Sequence, residues 1–112
     1  MQGRCRMYVR MTFFKVKPGM MDKLRNIYVN DVIPAHKSHK GIRFVHLFEC
    51  MDAVDEGISV TAWDTKGDLE AYEKSGDYQR ILALFGEVLT GASTLKSYEV
   101  TASSEPMILR IF

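Results

Sequence analysis

The alternation of apolar and polar positions divides the chain into six elements and a tail. Tyr8 to Val16, YVRMTFFKV, is rich in β-branched and aromatic residues and predicts a strand. Lys17-Pro18-Gly19 stops it, and Pro18 suits the entry to a helix. Met20, Met21, Leu24, Ile27, Tyr28 and Val32 then recur at steps of three and four, which makes one apolar helical face. Pro34 ends or kinks this helix, and His36 to Gly41 reads as a polar connection. Ile42 to Cys50 predicts a second strand with Ile42, Phe44, His46 and Phe48 on one face. Met51 to Gly57 is an acidic turn, and Ile58 to Trp63 a short third strand. Asp64 and Thr65 offer capping oxygens to a helix over Lys66 to Lys74. After Ser75-Gly76-Asp77 comes a second helical piece with Tyr78, Ile81, Leu82, Phe85 and the pair Val88-Leu89 on its apolar side. A polar loop, Gly91 to Thr94, leads to a last strand, Leu95 to Thr101.

The order β-α-β-β-α-β predicts an α+β, ferredoxin-like domain over residues 7–102, with a four-stranded antiparallel sheet. Right-handed crossovers put both helical regions on one face of it. The other face is left apolar and bare, which predicts a homodimer closed face to face. Residues 103–112 hold a break, Ser103-Ser104-Glu105-Pro106, and an apolar tail, Met107 to Phe112, expected to reach the partner subunit.

Composition narrows the function more by exclusion than by suggestion. The 112 residues suit one domain, and 46% hydrophobic with 26% charged content is that of an ordinary globular protein. Fifteen basic and fourteen acidic side chains give a formal charge of +1, with no basic stripe, so no nucleic-acid partner is expected. Cys5 and Cys50 fall in no metal-binding or redox spacing. Met1 to Arg6 lacks the apolar core of a signal peptide, and no run is long enough to span a membrane. The expectation is a cytoplasmic protein. Phosphate-loop, nucleophile-elbow, zinc and dinucleotide motifs are all missing.

Three stretches carry a resemblance: KVKPGMMDKL after the first strand, the connection IPAHKSHKGIRF, and SVTAWDTKGDLEAYEKSGDYQRIL. Together they make Tyr8 to Thr101 similar to the dimeric α+β barrel proteins of the antibiotic biosynthesis monooxygenase type. The resemblance implies the fold and the dimer. It also implies a small oxygenase without bound cofactor, acting on an aromatic or quinone-like compound. Its members also include haem-degrading enzymes and proteins without assigned activity. In the cofactor-free oxygenases the protein desolvates, orients and deprotonates a phenolic substrate, which then reacts with oxygen directly.

The residues of that resemblance match unevenly. Trp63 stands where the oxygenases have a tryptophan, but Ser59 falls at their asparagine and Leu69 at their tyrosine. For haem degradation the positions of the histidine ligand, the tryptophan and the asparagine fall at Leu82, Tyr72 and near Thr12. Leucine cannot ligate iron, so no haem, and no other cofactor or metal, is expected. Trp63 also suits a structural anchor whose N–H meets a backbone acceptor. His46 is the acid–base candidate, since it shares a face with Phe44 and Phe48; the plainer reading is a satisfied core or interface histidine. Trp63 and His46 are therefore the expected catalytic pair, in a cavity lined by Tyr72, Thr12, Ser59 and Phe44. His36 and His39 are expected in solvent, without a third group to make a metal site. Arg10, alone in an apolar strand, is expected at an interface or surface in an ion pair, with contact to an acidic ligand as the alternative. The rival to an enzyme is a non-catalytic dimeric ligand-binding or stress-response protein on the same scaffold.

Overall fold

The computed structural model describes residues 7–104; Cys5 and the tail Met107 to Phe112 lie outside the described residues. Strand β1 (Tyr8–Val16) is followed by helix α1 (Met21–Ile27), a π-helical turn (Tyr28–Val32) and helix α2 (Ile33–Lys37). Strands β2 (Ile42–Glu49) and β3 (Glu56–Trp63) form a hairpin, then come α3 (Lys66–Lys74), α4 (Asp77–Leu84) and β4 (Leu89–Glu99). All three pairings are antiparallel, and the sheet order is β2-β3-β1-β4, the ferredoxin-like arrangement.

Three local features depart from the sequence expectation, each for a physical reason. Pro34 does not end the helical run. It sits in the first turn of α2, where a missing N–H costs little, and the wider π turn before it absorbs the irregularity. His36 is therefore helical and 3% exposed, not solvated. In β2 a bulge at Arg43 shifts the register, so that Ile42 pairs with Trp63 and Phe44 with Ala62. One extra residue flips all that follow. Ile42 consequently packs on the helix side, whereas Phe44 packs with Val9, Val60 and Ala62 on the other face. Finally, β4 begins at Leu89, six residues before the expected Leu95. Its Thr, Ser and Gly residues carry no apolar alternation because this edge strand is largely exposed.

Two apolar clusters fill the space between sheet and helices. One joins Tyr28, Val32, Trp63, Leu69, Tyr72 and Ile81; the other joins Phe14, Val16, Leu24 and Val88. On the far side Val9, Phe44, Val60 and Ala62 form a third, with Phe48 and Tyr98 of β2 and β4 left exposed.

Candidate functional site

Between the sheet and the helices lies a cavity of about 70 Å³. It follows from the alternation of β1. Arg10, Thr12 and Phe14 point inward, opposite Ser59 and Thr61 of the neighbouring β3. Tyr28, Val32 and His36 close it from the first helical layer, and Tyr72, Tyr78, Ile81, Leu82 and Phe85 from the second. A larger depression of about 510 Å³, at the other end of the sheet near Phe48 and Cys50, is lined by no histidine and no arginine.

His36 is the acid–base group on this wall. Its Nδ1 lies 2.8 Å from the Val32 carbonyl, which can only accept, so Nδ1 carries the proton. That leaves Nε2 as the ring's one basic lone pair. Burial, the largest influence, pushes the pKa of His36 below the ordinary histidine range; the Val32 bond opposes the shift, and His39 adds to it. The ring lies 4.6 Å from that of Tyr72. Helix α2 places His36 there only because the chain stays helical past Pro34.

His39, one turn on, is likewise not free in solvent. Its Nε2 lies 2.7 Å from Asp77 Oδ2 and its ring meets the Tyr72 ring edge-on at 5.0 Å. Its hydrogen bond is the main reason the Asp77 carboxyl is held below the usual range, with Arg80 assisting. The pair ties the α2–β2 connection to the start of α4.

Trp63 is fully buried, and its Nε1–H donates to Thr61 Oγ1 at 2.9 Å, a side-chain acceptor where a backbone one was expected. Its ring lies 5.2 Å from that of Tyr72, so it backs the cavity's aromatic wall. Tyr28 donates to the His46 carbonyl at 2.8 Å, and Ser59 Oγ, 2.9 Å away, must then be the donor to Tyr28. Burial pushes both the Tyr28 and the Tyr72 hydroxyl up, and at Tyr72 the Arg10 charge pulls the other way.

Arg10 is neither surface nor rim. It is 4% exposed, with Cζ 4.7 Å above the Tyr78 ring and Nη1 2.5 Å from Glu73 Oε2. Yet none of its three nitrogens has a correctly directed hydrogen-bond acceptor among the described residues.

The structure thus gathers Tyr72, Thr12 and Ser59 around one cavity with Trp63 behind it. It separates them from His46 and Phe44. These stack on each other, centroids 4.5 Å apart, on the opposite face of the sheet, because β2 turns its even-numbered residues away from the helices after the bulge. His36 and Arg10 line the cavity instead. The sequence signal for Arg10 was a lone charge in an apolar strand; for His36 it was a histidine four residues beyond Val32 on the same helical face.

Among the described residues no three acidic, histidine or cysteine side chains are grouped to hold a metal ion, and no helix is long and apolar enough to cross a membrane. Leu82, on the cavity wall, has no atom to offer a haem iron.

No curated protein sequence matches the chain. Solved structures do. A conserved protein from Methanosarcina mazei Go1 superposes with a TM-score of 0.73 at 16% identity, covering 84% of this chain and 92% of that one. A candidate antibiotic biosynthesis monooxygenase from Nitrosomonas europaea gives 0.72 at 13% identity, covering 88% and 93%. The haem-degrading protein Rv3592 of Mycobacterium tuberculosis gives 0.67 at 14%, covering 91% and 99%. At these identities the likeness speaks for the fold. The family profile of the antibiotic biosynthesis monooxygenases matches residues 7–84, well over half the chain, and the chain belongs to that family.

Proposed function

We propose that the protein is a cofactor-independent oxygenase for a small phenolic or quinone-forming compound, held in the cavity between sheet and helices of each subunit of a homodimer. The observation that carries this is His36, a buried neutral histidine with one basic nitrogen on the wall of an otherwise aromatic pocket. A phenol with a free para position would lose its hydroxyl proton to His36 Nε2. The electron pair released into the ring adds to oxygen at the para carbon, forming a C–O bond and, after return of the proton, a hydroperoxide. Loss of water, with departure of the hydrogen on that carbon, leaves a carbonyl. The balance is phenol plus oxygen to quinone plus water, and all oxidising equivalents come from oxygen. The protein's part is desolvation, orientation and proton transfer. The dimer reading is supported by the apolar far face, where Phe48 and Tyr98 remain about half exposed.

The cavity size supports a second, non-catalytic reading. About 70 Å³ is well below the roughly 300–1,000 Å³ of ordinary ligand sites. A single ring fits that scale better than a polycycle, and a polycycle requires the half-buried rim of Leu82, Phe85 and Leu89 to give way. An oxygen electrode separates the readings. Monocyclic phenols with a free para position, and anthrones as polycyclic ones, should drive oxygen uptake matched one to one by quinone formation, and His36→Phe should cut the rate by roughly a hundredfold. No uptake above buffer with any of them would leave ligand binding without catalysis.

A further inference from the structure

From the surroundings of Arg10 we infer that the cavity selects a ligand carrying an anionic oxygen, a phenolate or enolate, and that Arg10 is the residue that recognises it. The inference rests on the sheet–helix cavity being the ligand site.

A guanidinium has five N–H donors in a planar fork and no acceptor. In Arg10 this fork is 4% exposed and lines the cavity, and its nitrogens have no correctly directed acceptor among the described residues. Glu73 Oε2 makes an ion pair with Nη1 at 2.5 Å, but off the hydrogen-bond direction, and this one contact leaves Nε and Nη2 without an acceptor among the described residues. Tyr78 lies under the guanidinium carbon and fixes its position without accepting in the plane of the donors. Charge-assisted bonds from such a fork to an oxyanion are among the strongest available to a buried site.

The rest of the cavity says what the oxyanion is attached to. Along β1 the inward residues change from Arg10 through Thr12 to Phe14. The cavity therefore has a cationic end and an apolar end near Leu24 and Phe85. A ring bearing one ionised oxygen matches both ends; a neutral hydrocarbon leaves the fork unmet, and a phosphate leaves the apolar end unmet. The Arg10 charge already favours the ionised form of the Tyr72 phenol, although burial outweighs it there.

Para-nitrophenol is a suitable probe: it ionises near neutral pH, and its phenolate absorbs in the visible. Its binding to the full-length protein is measured by spectral titration under nitrogen, at pH values on both sides of its own pKa. The ionised form should bind about tenfold more tightly than the neutral form, and the bound probe's apparent pKa should fall by about one unit. In Arg10→Met this preference should vanish while the neutral form still binds. Glu73→Gln, which removes the competing carboxylate, should tighten phenolate binding; this arm also serves if Arg10→Met does not fold. Equal binding of both forms, a preference that survives Arg10→Met, or no binding at all overturns the inference. Because no turnover is involved, failure here is separate from failure of the oxygen-uptake experiment, and phenolate selection without oxygen uptake would leave Arg10 serving a binding protein.

Discussion

Mild acid should destabilise this protein through His36. The imidazole is 3% exposed, gives its Nδ1 proton to the Val32 carbonyl at 2.8 Å and lies against Tyr72. Burial sets its pKa below that of the unfolded chain, which is about 6.5. Between those two values the unfolded state binds a proton that the folded state does not. The neutral ring's contribution is therefore full above about pH 6.5 and declines as the pH falls toward the folded value. Within that window one proton costs at most about 1.4 kcal/mol per pH unit, a sizeable part of the roughly 5–15 kcal/mol that holds a domain together. Asp77 also loses stability on acidification, because His39 and Arg80 hold its pKa down, but its window opens only in the ordinary carboxylate range near pH 4 and below. The assay is urea unfolding at about pH 7.5, 6.5 and 5.5, at one protein concentration, since a dimer's stability depends on it. His36→Phe keeps a ring against Tyr72 and loses the Val32 bond. It should be about 1 kcal/mol less stable at the highest pH and show a shallower decline. Parallel pH curves for the two proteins would refute the reasoning.

Other consequences are equally direct. Gly41 has φ +83°, and an added Cβ would fall 2.1 Å from Asp68 Oδ2, whereas Gly19, φ +79°, has nothing within 4 Å. Gly19→Ala should thus cost only the left-handed strain, about 1–2 kcal/mol, and Gly41→Ala more. Asp68→Ala, which removes the carboxyl but keeps a Cβ 2.8 Å from the added one, should recover only part of the difference in thermal melts, and equal costs at both glycines would contradict the clash. Light scattering should give twice 12.8 kDa for the wild type, and Val60→Lys, a charge in the middle of the far-face cluster, should give the monomer. A wild-type monomer at micromolar concentration would remove the dimer. Haem added to the purified protein should give no stoichiometric visible band, since Leu82 provides no ligand; a band that persists after replacement of all three histidines would show that another residue binds iron.

The order of elements and the sheet were legible because each rests on a strong local signal: aromatic and β-branched runs for β1 to β3, a three-four apolar repeat for α1, a Thr65 cap for α3. What escaped has no such signal. The β2 bulge at Arg43 is a property of pairing rather than of residue type, and it alone decides which face His46 takes. The π turn makes Pro34 compatible with a continuing helix, and so carries His36 and His39 onto Tyr72 instead of into solvent. β4 shows no alternation because an exposed edge strand needs none. Arg10 stood out in the sequence as an anomaly, but whether a strand charge faces water or a cavity depends on which face the helices cover.

The role proposed for Arg10 implies that the fold accepts instability for a site. Withdrawing a guanidinium from water costs several kcal/mol in real proteins. Against this stand one ion pair with a partly exposed carboxylate and a stack on Tyr78, which is worth about 0.5–2 kcal/mol. A methionine of similar length would fill the same space without the desolvation. Glu73, left behind, would remain in contact with solvent and not become a buried unpaired charge. Arg10→Met should therefore unfold at the same temperature as the wild type or a few degrees above it, while losing its preference for the ionised probe. If instead the variant melts well below the wild type, the Glu73 pair and the Tyr78 stack are worth more than the desolvation, and phenolate binding by Glu73→Gln then decides whether Arg10 also serves the ligand.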